Sequence, residues 1–144
     1  MQINFDVKNV SGIFGRLNMQ IIPSSLENNP TCQESIVVDE TAFSLIEKFF
    51  LDEGEAYAHW GNTYINSNKV KLIISELRLF YNFIEKSNKI SSEDVKLIFE
   101  EDTEIFISNF LDLKNDALEM IFKVINFLEK IIDKKIDGIT VIGV

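Results

Sequence analysis

The apolar residues of this chain change their spacing near residue 39, and this change limits the fold more than any other sequence feature. Before it, QINFDVK and RLNMQII alternate apolar and polar residues, which is the period of a strand with one buried face. From residue 39 onward the apolar residues recur every three or four positions, as they do along one side of a helix. The sequence therefore predicts an α+β fold.

The predicted sheet draws on both ends of the chain. The two alternating segments are separated by NVSGIFG, whose two glycines favour a turn, so we expect an N-terminal hairpin with a long or bulged connection. ESIVVD is short and β-branched and could supply a third strand. ITVIGV at the other end has the same character. We expect it to join this small antiparallel sheet.

The helices are predicted from their caps and from their apolar stripes. Asp39 can cap a first helix that ends near Gly54, and Ser67 can cap a longer one that extends through Lys86. Residues 91–94 form a capping-box pattern that predicts another helix start. NDALEMIFKVINFLEKIID is apolar except for a narrow polar stripe, which predicts a central buried helix.

These elements predict one domain over residues 1–144. A chain of this length fits a single hydrophobic core, and we find no repeat and no internal boundary. The expected architecture is a small antiparallel sheet, made of the N-terminal hairpin and the C-terminal strand, packed against a bundle of about four to five helices.

The charge of the chain restricts its partners. Lys and Arg number 14 against 23 Asp and Glu, which leaves a net charge of -9. Such a surface repels phosphate backbones and anionic lipids and attracts basic proteins. We therefore expect a basic protein partner and neither nucleic-acid nor membrane binding. The first residues lack the pattern of a signal peptide, and the longest apolar segment is interrupted by charges, which together predict a cytoplasmic location.

Catalytic and metal-binding chemistry is poorly supplied. With one histidine and one cysteine, the common zinc sites and a Cys/His nucleophile pair are not easily built. SGIFGR lacks the residues of a phosphate-binding loop. We predict no catalytic residue, no metal and no cofactor. One enzymatic alternative stays open, because Glu55 and His59 are four residues apart and on a helix would share one face.

Two segments are better suited to binding a protein. DEGEAYAHWGNTY combines aromatic residues, which are enriched in binding hot spots, with carboxylates that steer toward a basic partner. Its rings could equally pack on the core. EEDTE is the densest acidic run, although it could instead cap a helix or form a solvated face. The candidate partner-binding residues are Asp52, Glu53, Glu55, Tyr57, His59, Trp60, Tyr64, Glu100, Glu101, Asp102 and Glu104.

With MQINFDVKN at the start, these two segments give a chain that resembles bacterial toxin-immunity proteins, those of contact-dependent inhibition and related polymorphic toxin systems. The resemblance implies a stoichiometric inhibitor that covers the active site of a basic, nuclease-like toxin domain. The EEDTE carboxylates would then stand in for phosphates, and Trp60 would be an anchor. A phage-type nucleic-acid mimic that blocks a host defence nuclease would use the same electrostatics and remains an alternative. We expect a monomer or a weak homodimer.

Overall fold

The computed structural model describes residues 3–14, 17–50 and 61–143. These residues form an α+β fold, as predicted. The strands among them are β1 Val7–Val10, β2 Asn18–Pro23, β3 Ser35–Asp39, β4 Asn62–Asn66 and β5 Gly138–Ile142. The helices among them are α1 Glu40–Phe43, α2 Ser67–Lys86, α3 Glu100–Ser108 and α4 Phe110–Asp133, and a 3-10 helix spans Glu47–Phe50.

The strands form one antiparallel sheet in the order β1-β3-β2-β5-β4, and this order contradicts the predicted N-terminal hairpin. β1 does not pair with β2. Instead β3 lies between them, and its Val38 stands opposite Val7 on one side and Met19 on the other. The reason is burial: β2 and β3 are buried along nearly their whole length, whereas the two middle residues of β1 are exposed. A strand that is buried on both faces lies inside a sheet, whereas β1, with its exposed residues, lies at the edge.

The C-terminal strand joins the sheet, as expected. β5 lies between β2 and β4 and pairs with both, so the last described strand occupies an interior position. β4 was not predicted. In it, Thr63 and Ile65 are the less exposed residues and Asn62, Tyr64 and Asn66 are exposed, which is the alternation of an edge strand with one covered face.

α2 matches its prediction closely. It spans Ser67–Lys86, and the cap is Asn66, one residue earlier than expected, whose side chain accepts a hydrogen bond from the backbone N–H of Lys69. The predicted apolar stripe is its buried face: Val70, Ile73, Ile74, Leu77, Phe80 and Ile84.

The helices do not form the predicted bundle. α2 and α4 pack against each other on one face of the sheet, α2 over β4 and β5 and α4 against β1 and β5. α3 contacts α4, and the ring of Phe106 lies 5.9 Å from that of Phe5.

α1 has only four residues. Asp39 caps α1 as predicted, but the helix expected to reach Gly54 ends at Phe43 and is followed by the 3-10 helix. The hydrogen bond of the capping box forms between Ser91 and Asp94, yet the next helix begins only at Glu100.

The opposite face of the sheet is covered by connections. Gln20, expected to point to solvent, is 1% exposed. Its side chain donates to the carbonyl oxygen of Gly12 at 2.9 Å and accepts from the N–H of Phe14 at 3.1 Å. Gly12 has a φ of +91°, which only glycine adopts readily. The two hydrogen bonds of Gln20 hold residues 12–14 to the central strand.

Candidate partner-binding surface

The first predicted segment falls largely outside the described residues. Asp52, Glu53, Glu55, Tyr57, His59 and Trp60 belong to the undescribed range 51–60, so neither their contribution to partner binding nor the Glu55/His59 alternative is tested. Tyr64 is described, in edge strand β4, and 47% of it is exposed.

The hydroxyl of Tyr64 is held by Asp137, the residue before β5. It donates to Oδ2 of Asp137 at 2.7 Å, and the hydroxyl of Ser24 donates to Oδ1 at 2.7 Å. The hydrogen bond to Asp137 raises the pKa of Tyr64 to about 12, with burial and the negative charge of Asp137 adding to the effect. The bonds from Tyr64 and Ser24 lower the pKa of the Asp137 carboxyl. The phenol therefore stays protonated at neutral pH and acts as a clamp, while its ring remains half exposed.

Gly138 allows this clamp to form. A Cβ on Gly138 would overlap the carbonyl oxygen of Ile65 and would lie 2.8 Å from the hydroxyl oxygen of Tyr64. The side chain of Tyr64 therefore crosses a gap in β5 that only glycine leaves open. Its position follows from the pairing of β4 with β5, which brings Tyr64 opposite Thr140.

The EEDTE run forms the first turn of α3. Phe99 is the N-cap and provides no side-chain hydrogen bond. Thr103 ties the helix to the segment before it instead, since its hydroxyl accepts from the N–H of Leu97 at 3.0 Å and donates to the carbonyl oxygen of Phe99 at 3.1 Å. The carboxylates beside it are also favoured by the positive end of the helix dipole.

The four carboxylates of this run do not share one environment. Glu100, Glu101 and Glu104 are exposed, whereas Asp102 is 5% exposed and turned into the protein. Burial raises the pKa of Asp102, and the nearby charges of Glu101 and Asp39 raise it further. The carboxyl of Asp102 therefore affects the stability of the fold and is not available to a partner at the surface.

Phe99 was not recognised from the sequence as a surface residue, yet half of its side chain is exposed. It directly precedes Glu100 and Glu101, and Glu104 lies one helical turn further on, so the four form one surface. We call Phe99, Glu100, Glu101 and Glu104 the α3 acidic patch. In such an arrangement the partner can bury the apolar ring as an anchor, while the three carboxylates attract its cationic side chains. The sequence signal for this surface was a phenylalanine directly before the acidic run.

A second acidic feature lies at the side of α4. A hollow of about 340 Å³ between the segment before β1 and α4 is lined by the carboxylates of Asp6, Asp116 and Glu119. Lys123 also lines it and lies 3.2 Å from Glu119 in an exposed ion pair. Within the part of the chain that the structure describes, no three His, Cys, Asp or Glu residues are arranged to hold a metal ion. The hollow therefore adds acidic surface and was not indicated by the sequence pattern.

Among the helices of residues 3–14, 17–50 and 61–143, none combines the length and apolar composition needed to cross a membrane. Comparison with known proteins gives no match: no protein-family model, no curated protein and no solved structure is significantly similar to this chain.

Proposed function

We propose that this protein is a toxin-immunity protein, which neutralises a basic, nuclease-like bacterial toxin domain by direct stoichiometric binding. The observation that carries the proposal is the α3 acidic patch, in which three exposed carboxylates follow a half-exposed phenylalanine on a chain of net charge -9. In this proposal the protein acts by covering a surface of the toxin domain, and it forms no covalent bond with that partner.

Electrostatics supports a nuclease-like partner. Nuclease domains carry positive clefts that hold phosphates, and a strongly acidic protein is steered toward such a cleft before contact. In the complex, Glu100, Glu101 and Glu104 take the positions of phosphate groups. Asp102 is excluded from this role by its burial, which narrows the set of four acidic residues to three.

Aromatic anchors complete the surface. Phe99 supplies apolar area that is desolvated on binding, next to the carboxylates. Trp60, Tyr57 and Tyr64 are proposed as further anchors, with Asp52, Glu53, Glu55 and His59 around them. The ring of Tyr64 is available for this role because its hydroxyl is already satisfied by Asp137.

The test begins with isolation of the partner. The tagged protein is purified from its native cell, the bound protein is identified by mass, and its isolated domain is titrated calorimetrically. The variant E100Q/E101Q/E104Q is expected to weaken binding at least about a hundredfold, since each lost charge contact is worth on the order of 1 kcal/mol or more. Unchanged affinity would remove this surface from the proposal.

A matched control separates the patch from the overall charge. The variant E27Q/E85Q/D133N removes three exposed carboxylates from other elements and changes the net charge equally. It should leave the affinity within about threefold, because distant charges are largely screened at physiological ionic strength. An equal loss in both variants would mean that net charge alone attracts the partner.

The identity of the partner separates the alternatives. A toxin encoded beside this protein supports immunity, whereas a host defence nuclease identifies a nucleic-acid mimic with the same electrostatics. If no protein co-purifies and His59→Ala abolishes a measurable turnover without unfolding the chain, the protein is an enzyme instead.

A further inference from the structure

The outward face of α2 carries an apolar line that no described element covers. Leu72, Leu79 and Phe83 are 50%, 71% and 42% exposed. They are spaced seven and four residues apart, so they fall on one line along the helix, outside the buried stripe. The line is about 16 Å long, because Leu72 and Phe83 are eleven residues apart and an α-helix rises about 1.5 Å per residue.

Positive charges border this line. Lys71 and Lys86 are exposed beside its two ends. On the flank formed by the 3-10 helix, the ammonium of Lys48 lies 5.3 Å from the ring centroid of Phe80, and that ring stacks on Phe83 at 6.5 Å. We call Leu72, Leu79, Phe83, Lys48, Lys71 and Lys86 the α2 basic face.

The charge of α2 is opposite to that of the whole chain. The helix contains four cationic side chains and two carboxylates, whereas the chain as a whole has a net charge of -9. One of the four cations, Arg78, is paired with Glu129 of α4, so the lysines of the α2 basic face carry the positive charge that is open to a partner. One of the two carboxylates, Glu76, stands on the apolar line between Leu72 and Leu79. A polar residue within an apolar helical seam is a common way to fix the register of a partner helix.

We propose that the α2 basic face docks an acidic amphipathic helix of a partner protein. Apolar spacing of seven and four residues is the spacing that accepts a second helix laid alongside. The flanking lysines complement carboxylates at the edge positions of that helix, as they do in coiled coils. A second copy of this chain fits less well, because it would bring two positive rims and two acidic chains together. An anionic membrane also fits less well, since the rest of the protein repels it.

This interface is separate from the α3 acidic patch and does not depend on the proposed function. α2 packs over β4 and β5, whereas α3 contacts α4 and the segment before β1. The variant E100Q/E101Q/E104Q should therefore leave binding to the α2 basic face unchanged, so the two proposals fail independently.

The experiment uses a yeast-displayed library of helical peptides about three heptads long. Leucines are fixed at the seam positions, and the flanking positions are randomised among Glu, Gln, Ser and Lys. Selection with the full-length protein should enrich glutamate at the flanks. A synthetic enriched peptide should lose at least about tenfold in affinity, measured by fluorescence anisotropy, toward L79S/F83S and toward K71E/K86E. The control L111S, which changes a 66% exposed leucine on α4, should bind normally.

Three results would overturn the proposal. The first is a selection that yields no enrichment, or that favours lysine or uncharged flanks. The second is an enriched peptide whose affinity is unaffected by both α2 variants. The third is concentration-dependent self-association of the wild-type protein, seen by sedimentation and abolished in L79S/F83S, which would assign this face to a second copy.

Discussion

At the scale of single residues, the clamp between Tyr64 and Asp137 makes stability depend on pH at both ends of the range. Tyr64→Phe removes the hydroxyl donor and should lower the free energy of unfolding by roughly 0.5–1 kcal/mol. This is less than is usual for a hydrogen bond to a charged group, because Tyr64 is half exposed and water screens the interaction. The pKa of Asp137 is lowered by this bond, so its contribution is present above the ordinary carboxyl pKa and is lost as the pH falls through the folded value. The pKa of Tyr64 is raised to about 12, so that contribution is lost as the pH rises from about 10 toward 12.

The measurement is urea unfolding of the wild type and of Tyr64→Phe at several pH values. The difference between them should be constant from about pH 5 to 9 and should shrink outside that range. The control for loss of a phenol hydroxyl is Tyr81→Phe, because Tyr81 is also partly exposed but lies on α2. A difference between wild type and Tyr64→Phe that is the same at pH 7 and pH 11 would contradict the clamp.

Asp102 gives a prediction of the opposite sign. Its pKa is raised because the charged form is buried close to Glu101 and Asp39, so folding becomes less favourable as the pH rises from the ordinary carboxyl pKa through the raised folded value. Asp102→Asn should therefore increase the free energy of unfolding at pH 7, by roughly 0.5–1 kcal/mol. The gain should shrink as the pH falls through the raised pKa of Asp102 toward the ordinary carboxyl pKa. Destabilisation at pH 7 would show that the carboxylate accepts a bond that the fold requires. Glu104→Gln removes an exposed carboxylate of the same helix and is the comparison.

Asp102 also shows where sequence reasoning about the site stops. The run EEDTE indicates an acidic helix start, and Glu100, Glu101 and Glu104 are indeed exposed. The burial of Asp102 depends on contacts with distant parts of the chain, among them the vicinity of Asp39, and no local pattern encodes them. Phe99 was missed for the converse reason, because an apolar residue beside a predicted helix indicates core more often than surface.

At the scale of elements, the end of α4 offers a stabilising substitution. The N–H of Lys135 bonds to the carbonyl oxygen of Ile132 and that of Ile136 bonds to Ile131, which is the Schellman pattern, and Lys135 has a φ of +55°. Lys135→Gly should raise the free energy of unfolding by about 0.5–1 kcal/mol, because glycine adopts this conformation without a steric cost. Lys134→Gly, one residue earlier at a φ of -81°, is the control and should lower it. Thermal unfolding measured by circular dichroism distinguishes the two, and equal effects would contradict the strain at Lys135.

The elements also show what hydrophobic period can and cannot predict. The spacing of apolar residues predicted the burial of Ile3 and Phe5 correctly, although β1 begins only at Val7. It did not predict the burial of Gln20, whose partners Gly12 and Phe14 lie in another segment. Strand partners are set by long-range competition, so local spacing suggested β1 with β2 while β3 paired with both. Most of the apolar positions after Asp39 are likewise buried, but they lie in two short helical pieces and the turn between them rather than in one helix.

At the scale of the whole molecule, the sheet depends on segments far apart in sequence. β5, from the C-terminal end, lies between β2 and β4, and both of these strands come from the first half of the chain. Its Ile139 and Val141 are buried there. The α+β class followed from period and the joining of β5 from composition. The sequence did not predict β4, because NTYIN follows an aromatic and acidic segment whose tyrosines and tryptophan are near helical spacing. Its weak signal was the alternation of Thr63 and Ile65 with polar neighbours.

The net charge of -9 predicts that salt stabilises the whole fold. Like charges repel in the compact state, and raising NaCl from about 20 to 300 mM shortens the screening length to well below the size of the domain. Tm should rise by about 2–4 °C, which corresponds to roughly 1 kcal/mol for a chain of this size. The exposed pair of Arg78 and Glu129 is also screened, but such pairs contribute little, so net repulsion should dominate. The variant E27Q/E85Q/D133N should show a smaller rise than the wild type because it has less repulsion to screen. A Tm that falls with salt would mean that attraction between the cationic α2 and the acidic remainder of the molecule outweighs the repulsion that its net charge implies.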